Sequence, residues 1–132
     1  MPAFVLDSFA LLAYFRDEPG AAAVEALLEQ AAVDRPLHMT EVNYAEVKNI
    51  LVRRDGLAGW ESAARILQGL PIQFHPVARE LADGAAELKA RFSISLADAF
   101  AAALAKAMRA ELVTGDAEFK PLAREVRVRW LA

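Results

Sequence analysis

The sequence predicts an α/β protein of three layers, with helices on both faces of a mostly parallel central sheet of four or five strands. Two observations carry this. Short apolar runs of strand length alternate with stretches of helical pattern along the chain. Strands separated by helices return in the same direction, so the sheet they build is mainly parallel and covered on both sides. A third bounds it. In 132 residues no linker, repeat or low-complexity tract is visible, so residues 1–132 are read as one domain.

The elements follow in order. Ala3 to Leu6 is a short apolar run, read as a strand, and Ser8 to Phe15 follows as a helix. Pro19 suits a first helical turn, and Ala21 to Ala32 reads as the next helix. Pro36 to Met39 is a second strand. Thr40 is a suitable N-cap for a helix to Arg54, Gly56 suits its C-terminal stop, and Ala58 to Leu67 reads as a further helix. Ile72 to Phe74 is strand-like after Pro71, and Pro76 opens a helix ending near Arg91. Ser95 caps the helix that carries Asp98. Glu111 to Thr114 reads as a strand, Gly115-Asp116 as the turn after it, and Glu118 to Ala123 as a short helix. Val126, Val128 and Trp130 alternate with Arg127, Arg129 and Leu131, the pattern of a last strand with one face partly exposed.

Composition excludes several classes. Hydrophobic residues make up 56% and charged residues 25%, which is globular rather than disordered. There is no cysteine, hence no disulfide framework, thiolate metal site or cysteine nucleophile. The run from Ala3 to Phe15 contains Asp7 and has no basic leader, and the run from Ala97 to Ala110 carries Asp98, Lys106 and Arg109. A soluble chain with no membrane partner is expected, and the cytoplasm is its expected location. The net charge of -3 argues against a general nucleic-acid coat protein but not against a nuclease, whose metal-binding acids mask a more basic surface.

Four carboxylates stand out. Asp7 ends the first strand, where it could cap the next helix. Glu46 shares a helix face with Val42 and Ile50, and a carboxylate there needs a partner, either Arg53 or a metal. Asp98 is third after the Ser95 cap, as in a capping box. Asp116 follows a strand and could be a turn or cap residue. Each has an adequate structural explanation alone. Together they point further, because open parallel sheets place their ligand sites at the carboxyl ends of strands. Four acids crowded there repel one another unless a divalent cation neutralises them. Hard oxygen ligands favour magnesium, with manganese as a substitute, over zinc. Such an ion can bind a phosphate oxygen, lower the pKa of a water and steady a leaving oxygen, which is the chemistry of phosphodiester hydrolysis.

Four blocks carry a family resemblance: Val5-Leu6-Asp7-Ser8-Phe9-Ala10-Leu11-Leu12, Thr40-Glu41-Val42-Asn43-Tyr44-Ala45-Glu46-Val47 with Arg53 beyond it, Ser95-Leu96-Ala97-Asp98-Ala99-Phe100-Ala101-Ala102-Ala103, and Leu112-Val113-Thr114-Gly115-Asp116-Ala117-Glu118-Phe119. In this order they resemble the PIN-domain family, and especially its VapC-like toxins, over nearly the whole chain. The resemblance implies a PIN fold and a metal-dependent endoribonuclease acting on RNA, with Asp7, Glu46, Asp98 and Asp116 as catalytic and metal-binding acids. It implies Thr114 as a supporting hydroxyl, with Glu118 a weaker further acid. It also implies a homodimer and a small VapB-like antitoxin partner that blocks the site. Ser8 could hydrogen-bond in the site or start the helix, and Glu41 is expected to face solvent.

Other residues suggest less. His38 and His75 have no acid–histidine–nucleophile pattern around them. Arg16, Arg53, Arg54, Lys89, Arg91, Lys106 and Arg109 could bind RNA phosphates, though each also fits an ordinary solvated surface. Trp60 and Phe74 suit a core or an interface. A housekeeping PIN nuclease and a non-catalytic binding module remain as alternatives. A phosphotransferase built on a first-strand aspartate is disfavoured, because the second acid it wants two residues on is replaced by Phe9.

Overall fold

The computed structural model describes residues 2–131. Its elements run β1 (Phe4–Leu6), α1 (Ser8–Phe15), α2 (Ala21–Gln30), β2 (Leu37–Thr40), α3 (Glu41–Gln68), β3 (Ile72–His75), α4 (Arg79–Arg91), α5 (Leu96–Met108), β4 (Glu111–Thr114), a 3-10 turn (Ala117–Leu122) and β5 (Val128–Trp130). The five strands form one sheet in the order β3-β2-β1-β4-β5, and every neighbouring pair is parallel. The expected "mostly parallel" sheet is wholly parallel.

The strand pleat sorts the core into two layers. Val5 and Leu112 point into one cluster with Leu88, Phe100, Leu104, Phe119 and Leu122, under α4 and α5. Their neighbours Leu6 and Val113 point the other way, into a cluster with Leu11, Val24, Met39, Val47 and Trp60, under α1, α2 and α3. The central strands β1 and β4 are largely apolar on both faces because both are covered, whereas Arg129 and Trp130 of the edge strand β5 are exposed.

Local chemistry sets the helix starts. Asp7, Thr40 and Ser95 each accept a hydrogen bond from the backbone N–H three residues on, at Ala10, Asn43 and Asp98. Such caps are each worth about 1 kcal/mol. Gly56 does interrupt helical geometry: at φ 74° and ψ 178° it breaks the span from Glu41 to Gln68 into two runs. Nothing lies within 4 Å of where its Cβ would be, so the backbone conformation, not space, demands glycine.

Several expected boundaries move. Pro19 lies outside α2, because Gly20 adopts a left-handed conformation at the N-cap. The same helix ends at Gln30 rather than Ala32, whose backbone instead bridges Arg35. Pro76 does not open α4; the Ala78 N–H bonds back to Pro76 O at 3.1 Å, and Ala78, itself extended, precedes the helix at Arg79 without a side-chain cap. Val126 belongs to the core below α5 rather than to β5. No helix among the described residues is long and apolar enough to cross a membrane.

The strand order decides where a ligand site can form. From β1 the chain builds outward through β2 to β3, then returns to place β4 on the other side of β1. The order therefore reverses between β1 and β4, and a crevice opens beyond their carboxyl ends.

Candidate metal centre at the switch point of the sheet

Asp7 follows β1 directly and is 1% exposed. Its Oδ1 accepts from the Ala10 N–H at 2.8 Å, and its Oδ2 accepts from the Thr114 hydroxyl at the end of β4. The cap and the site are thus one residue in two roles, not alternatives. Thr114 Oγ1 in turn accepts from the Asp116 N–H at 3.0 Å, and Asp116 Oδ1 accepts from the Glu118 N–H at 2.9 Å. One chain of hydrogen bonds therefore fixes the β4 loop against β1.

Asp98 enters from the first turn of α5, its N–H held by Ser95 Oγ at 3.1 Å. Its carboxylate meets those of Asp116 and Glu118, one oxygen from each lying within 4.8 Å of the others. Among the described residues no other three acids or histidines come this close. Glu118, ranked as a lesser acid by sequence, belongs to this tightest group. Asp7, expected to share an ion with Asp98, stands outside it. Glu46 is half-buried on α3 and makes no ion pair with Arg53; its charge instead bears on Asp98.

The electrostatics record the crowding. Burial first, then the charges of Asp98 and Asp116, push the Asp7 carboxyl up to about 7 against the Thr114 and Ala10 hydrogen bonds. Burial first, then Asp116, Glu46 and Glu118, push Asp98 up to about 6 against its hydrogen bond with Ser95. No basic side chain figures among the causes. An all-oxygen donor set with converging like charges and no protein counter-charge fits a hard divalent cation. Asp98, Asp116 and Glu118 are placed to hold it, with Asp7 and Glu46 close behind.

Sequence reasoning gave Asn43 no role, yet it frames the site. It is fully buried. Its Nδ2 donates to Ser8 Oγ and to Ala97 O, both at 3.1 Å, and its Oδ1 accepts from Thr40 Oγ1 at 2.5 Å. One amide thus ties α3 to the starts of α1 and α5. The signal was an amide on the same helical stripe as Val47 and Leu51. Ser8 is spent on this frame, since its hydroxyl also reaches Asn43 O at 3.4 Å.

Other expectations fall away from the site. His38 and His75 bond to each other at 2.9 Å on neighbouring strands. Trp60 and Phe74 pack edge-on against Tyr44, with centroids 5.7 and 5.4 Å apart. Glu41 is exposed. Arg91 and Lys106 both engage Glu125, Lys89 donates to Ile94 O, and Arg16 lies 3.8 Å from Glu18. Cavities of about 550 Å³ beside His75 and Leu104, and about 360 Å³ beside Phe4 and Leu27, include none of the clustered acids. Of the clustered acids, Asp98 is buried, Asp116 half-buried and Glu118 exposed, so the group opens toward solvent on the Glu118 side.

Comparison with known proteins agrees with the fold. VapBC2 from Rickettsia felis, crystallised bound to a DNA fragment from its promoter, superposes with a TM-score of 0.80 at 16% identity, covering 98% of this chain and 99% of that one. VapC20 from Mycobacterium tuberculosis, described as a Sarcin-Ricin loop cleaving toxin, gives 0.74 at 17% identity, with 91% and 95% covered. VapBC-1 from nontypeable Haemophilus influenzae gives 0.74 at 14% identity, with 97% of each chain covered. At these identities the likeness is one of fold. No curated protein sequence matches the chain. The PIN domain profile, however, matches residues 4–125, from β1 past the last clustered acid, and the chain therefore belongs to the PIN-domain family.

Proposed function

We propose that this protein is a metal-dependent endoribonuclease, with magnesium as its working ion and manganese as a substitute, and that it is the toxin of a toxin–antitoxin pair. The observation that carries the reading is the convergence of Asp98, Asp116 and Glu118, with Asp7 and Glu46 behind them, at the switch point of a parallel sheet. A divalent ion bound there would supply a Lewis acid for a phosphate oxygen and a lowered pKa for an attacking water. The chain's own part is to hold the oxygens in place. Ser95 and Asn43 fix the start of α5, and Thr114 fixes Asp7 and the Asp116 loop together.

The toxin assignment rests on the sequence resemblance and on the toxin–antitoxin proteins that share the fold. RNA as substrate is supported by the similar toxin that cleaves the Sarcin-Ricin loop. A VapB-like antitoxin is the proposed partner and the cytoplasm the proposed compartment. A homodimer is proposed on the sequence resemblance. The test is cleavage of single-stranded RNA by wild type and Asp98→Asn, with magnesium or EDTA, beside calorimetric titration of magnesium. Magnesium-dependent cleavage and ion binding, both lost in the variant, are expected. Full cleavage in EDTA would overturn the reading.

A further inference from the structure

Phe9 is 42% exposed, yet its ring is seated. A Cβ on Gly115 would fall 2.3 Å from Phe9 Cε1 and 2.7 Å from Cζ, distances no side chain tolerates. The ring therefore lies directly over Gly115, where any side chain larger than hydrogen would displace it from this position. Gly115 stands between Thr114 and Asp116, and Phe9 comes two residues after Asp7. One side of the ring is pressed on the loop that carries the acids, and the rest is open to solvent at their rim.

A second exposed aromatic lies at the same place. Trp130 is 43% exposed and pairs in register with Thr114 at the end of β5. Among the described residues, Phe9 and Trp130 are the exposed large aromatics, and both adjoin the Thr114–Gly115 strand end.

We propose that Phe9 is a stacking platform for an unpaired base of single-stranded RNA whose phosphate lies at the carboxylates. The inference rests on the nuclease reading above. Every base presents a π-face, and unpaired RNA bases are recognised by stacking on aromatic side chains. A ring that already rests on Gly115 on one side has less freedom to lose when a base covers the other. An anion at a metal held by Asp116 would leave its own base within the neighbourhood of the ring on the preceding residue. Phe9 thus selects for single strands, because a paired base cannot present its face.

The test uses the full chain with calcium in place of magnesium, so that binding is read without cleavage. A short fluorescein-labelled oligoribonucleotide reports affinity by anisotropy, and one carrying 5-iodouridine reports stacking by photocrosslinking. Phe9→Leu should weaken binding about tenfold, while Phe9→Tyr keeps it. The wild-type crosslink should map to Phe9, and melting temperatures should stay equal. Equal RNA affinity for Phe9→Leu and wild type would overturn the inference and leave the nuclease reading standing. Weakened binding of a co-expressed partner protein alone, with RNA binding intact, would overturn it in favour of a protein contact. Failure of the wild type to bind any RNA would remove the nuclease reading and the inference together.

Discussion

The Thr114 hydroxyl donates a hydrogen bond to Asp7 Oδ2 across 107 positions of sequence. It joins the ends of the two strands between which the sheet order reverses. Thr114 Oγ1 also accepts from the Asp116 N–H at 3.0 Å. One side chain therefore orients a buried acid and the loop of the acid opposite it.

Replacing Thr114 by valine keeps shape and removes this bond. Asp7 Oδ2 and the Asp116 N–H would then be unpaired, at a cost of about 1–3 kcal/mol. Since the hydroxyl holds the Asp7 carboxyl down against its burial, its loss should raise that carboxyl further above about 7. We expect a lower melting temperature and an acid limb of the cleavage–pH profile moved to higher pH. Thr114→Ser should restore both, and a Thr114→Val profile that overlays wild type would deny the hydroxyl this role.

Asp7→Asn should abolish RNA cleavage while leaving the metal-free protein equally or more stable. The asparagine can still accept from Ala10 N–H and can donate to Thr114 Oγ1, which has a lone pair to spare. It removes a charge that burial and Asp98 and Asp116 oppose. A carboxyl held at about 7 rather than 3.8 disfavours the ionised folded chain by on the order of 4 kcal/mol. Asp98→Asn should behave alike in cleavage. Thermal melts in EDTA beside a cleavage assay decide it: a variant both inactive and less stable would mark these acids as structural.

Much of this was legible before the fold. Caps at Asp7, Thr40 and Ser95 are local chemistry, and strand alternation exposed the two buried faces. The acids were found because their positions relative to strands are read from sequence. Their mutual distances are not, which is why sequence alone does not show that Glu118 lies within 4.8 Å of Asp98 and Asp116 while Asp7 stands outside that group. Asn43 escaped because two of its partners, Ser8 and Ala97, lie on distant elements, and an amide on a buried stripe does not announce which groups it joins. The start of α4 was misplaced because proline marks an extended approach to a helix as readily as its first turn.

Asn43→Leu tests that network. Leucine has the same number of side-chain heavy atoms, though it is bulkier, and it leaves Ser8 Oγ, Ala97 O and the Thr40 hydroxyl without their amide partner in a fully buried site. Each unsatisfied buried group costs about 1–3 kcal/mol, so the loss should exceed that of Thr114→Val. Asn43→Asp should fail too, because it keeps the acceptor for Thr40 but loses both donors and adds a charge beside Asp98. Chemical denaturation measures both; an Asn43→Leu variant as stable as wild type would show the network to be idle.

The pH dependence of metal binding is the broadest test. Asp7 and Asp98 both titrate above their usual value of 3.8, at about 7 and about 6. Well below pH 3.8 both are protonated whether folded or not, so the folded chain carries no penalty. As pH rises, the unfolded chain ionises first and gains free energy relative to the folded one. Metal-free stability from these groups therefore falls between about pH 4 and about pH 7, then levels. Magnesium needs the ionised forms, so its affinity should rise over the same interval, and binding near pH 6 should release protons. Glu125 runs the other way: Arg91 and Lys106 hold it at about 2, so its contribution is lost only as pH falls toward that value. Melting curves in EDTA and in saturating magnesium should diverge as pH increases through neutrality, and calorimetry in buffers of different ionisation enthalpy should count the released protons. Parallel curves and no proton release would mean that the ion, if bound at all, is held by groups other than these carboxylates.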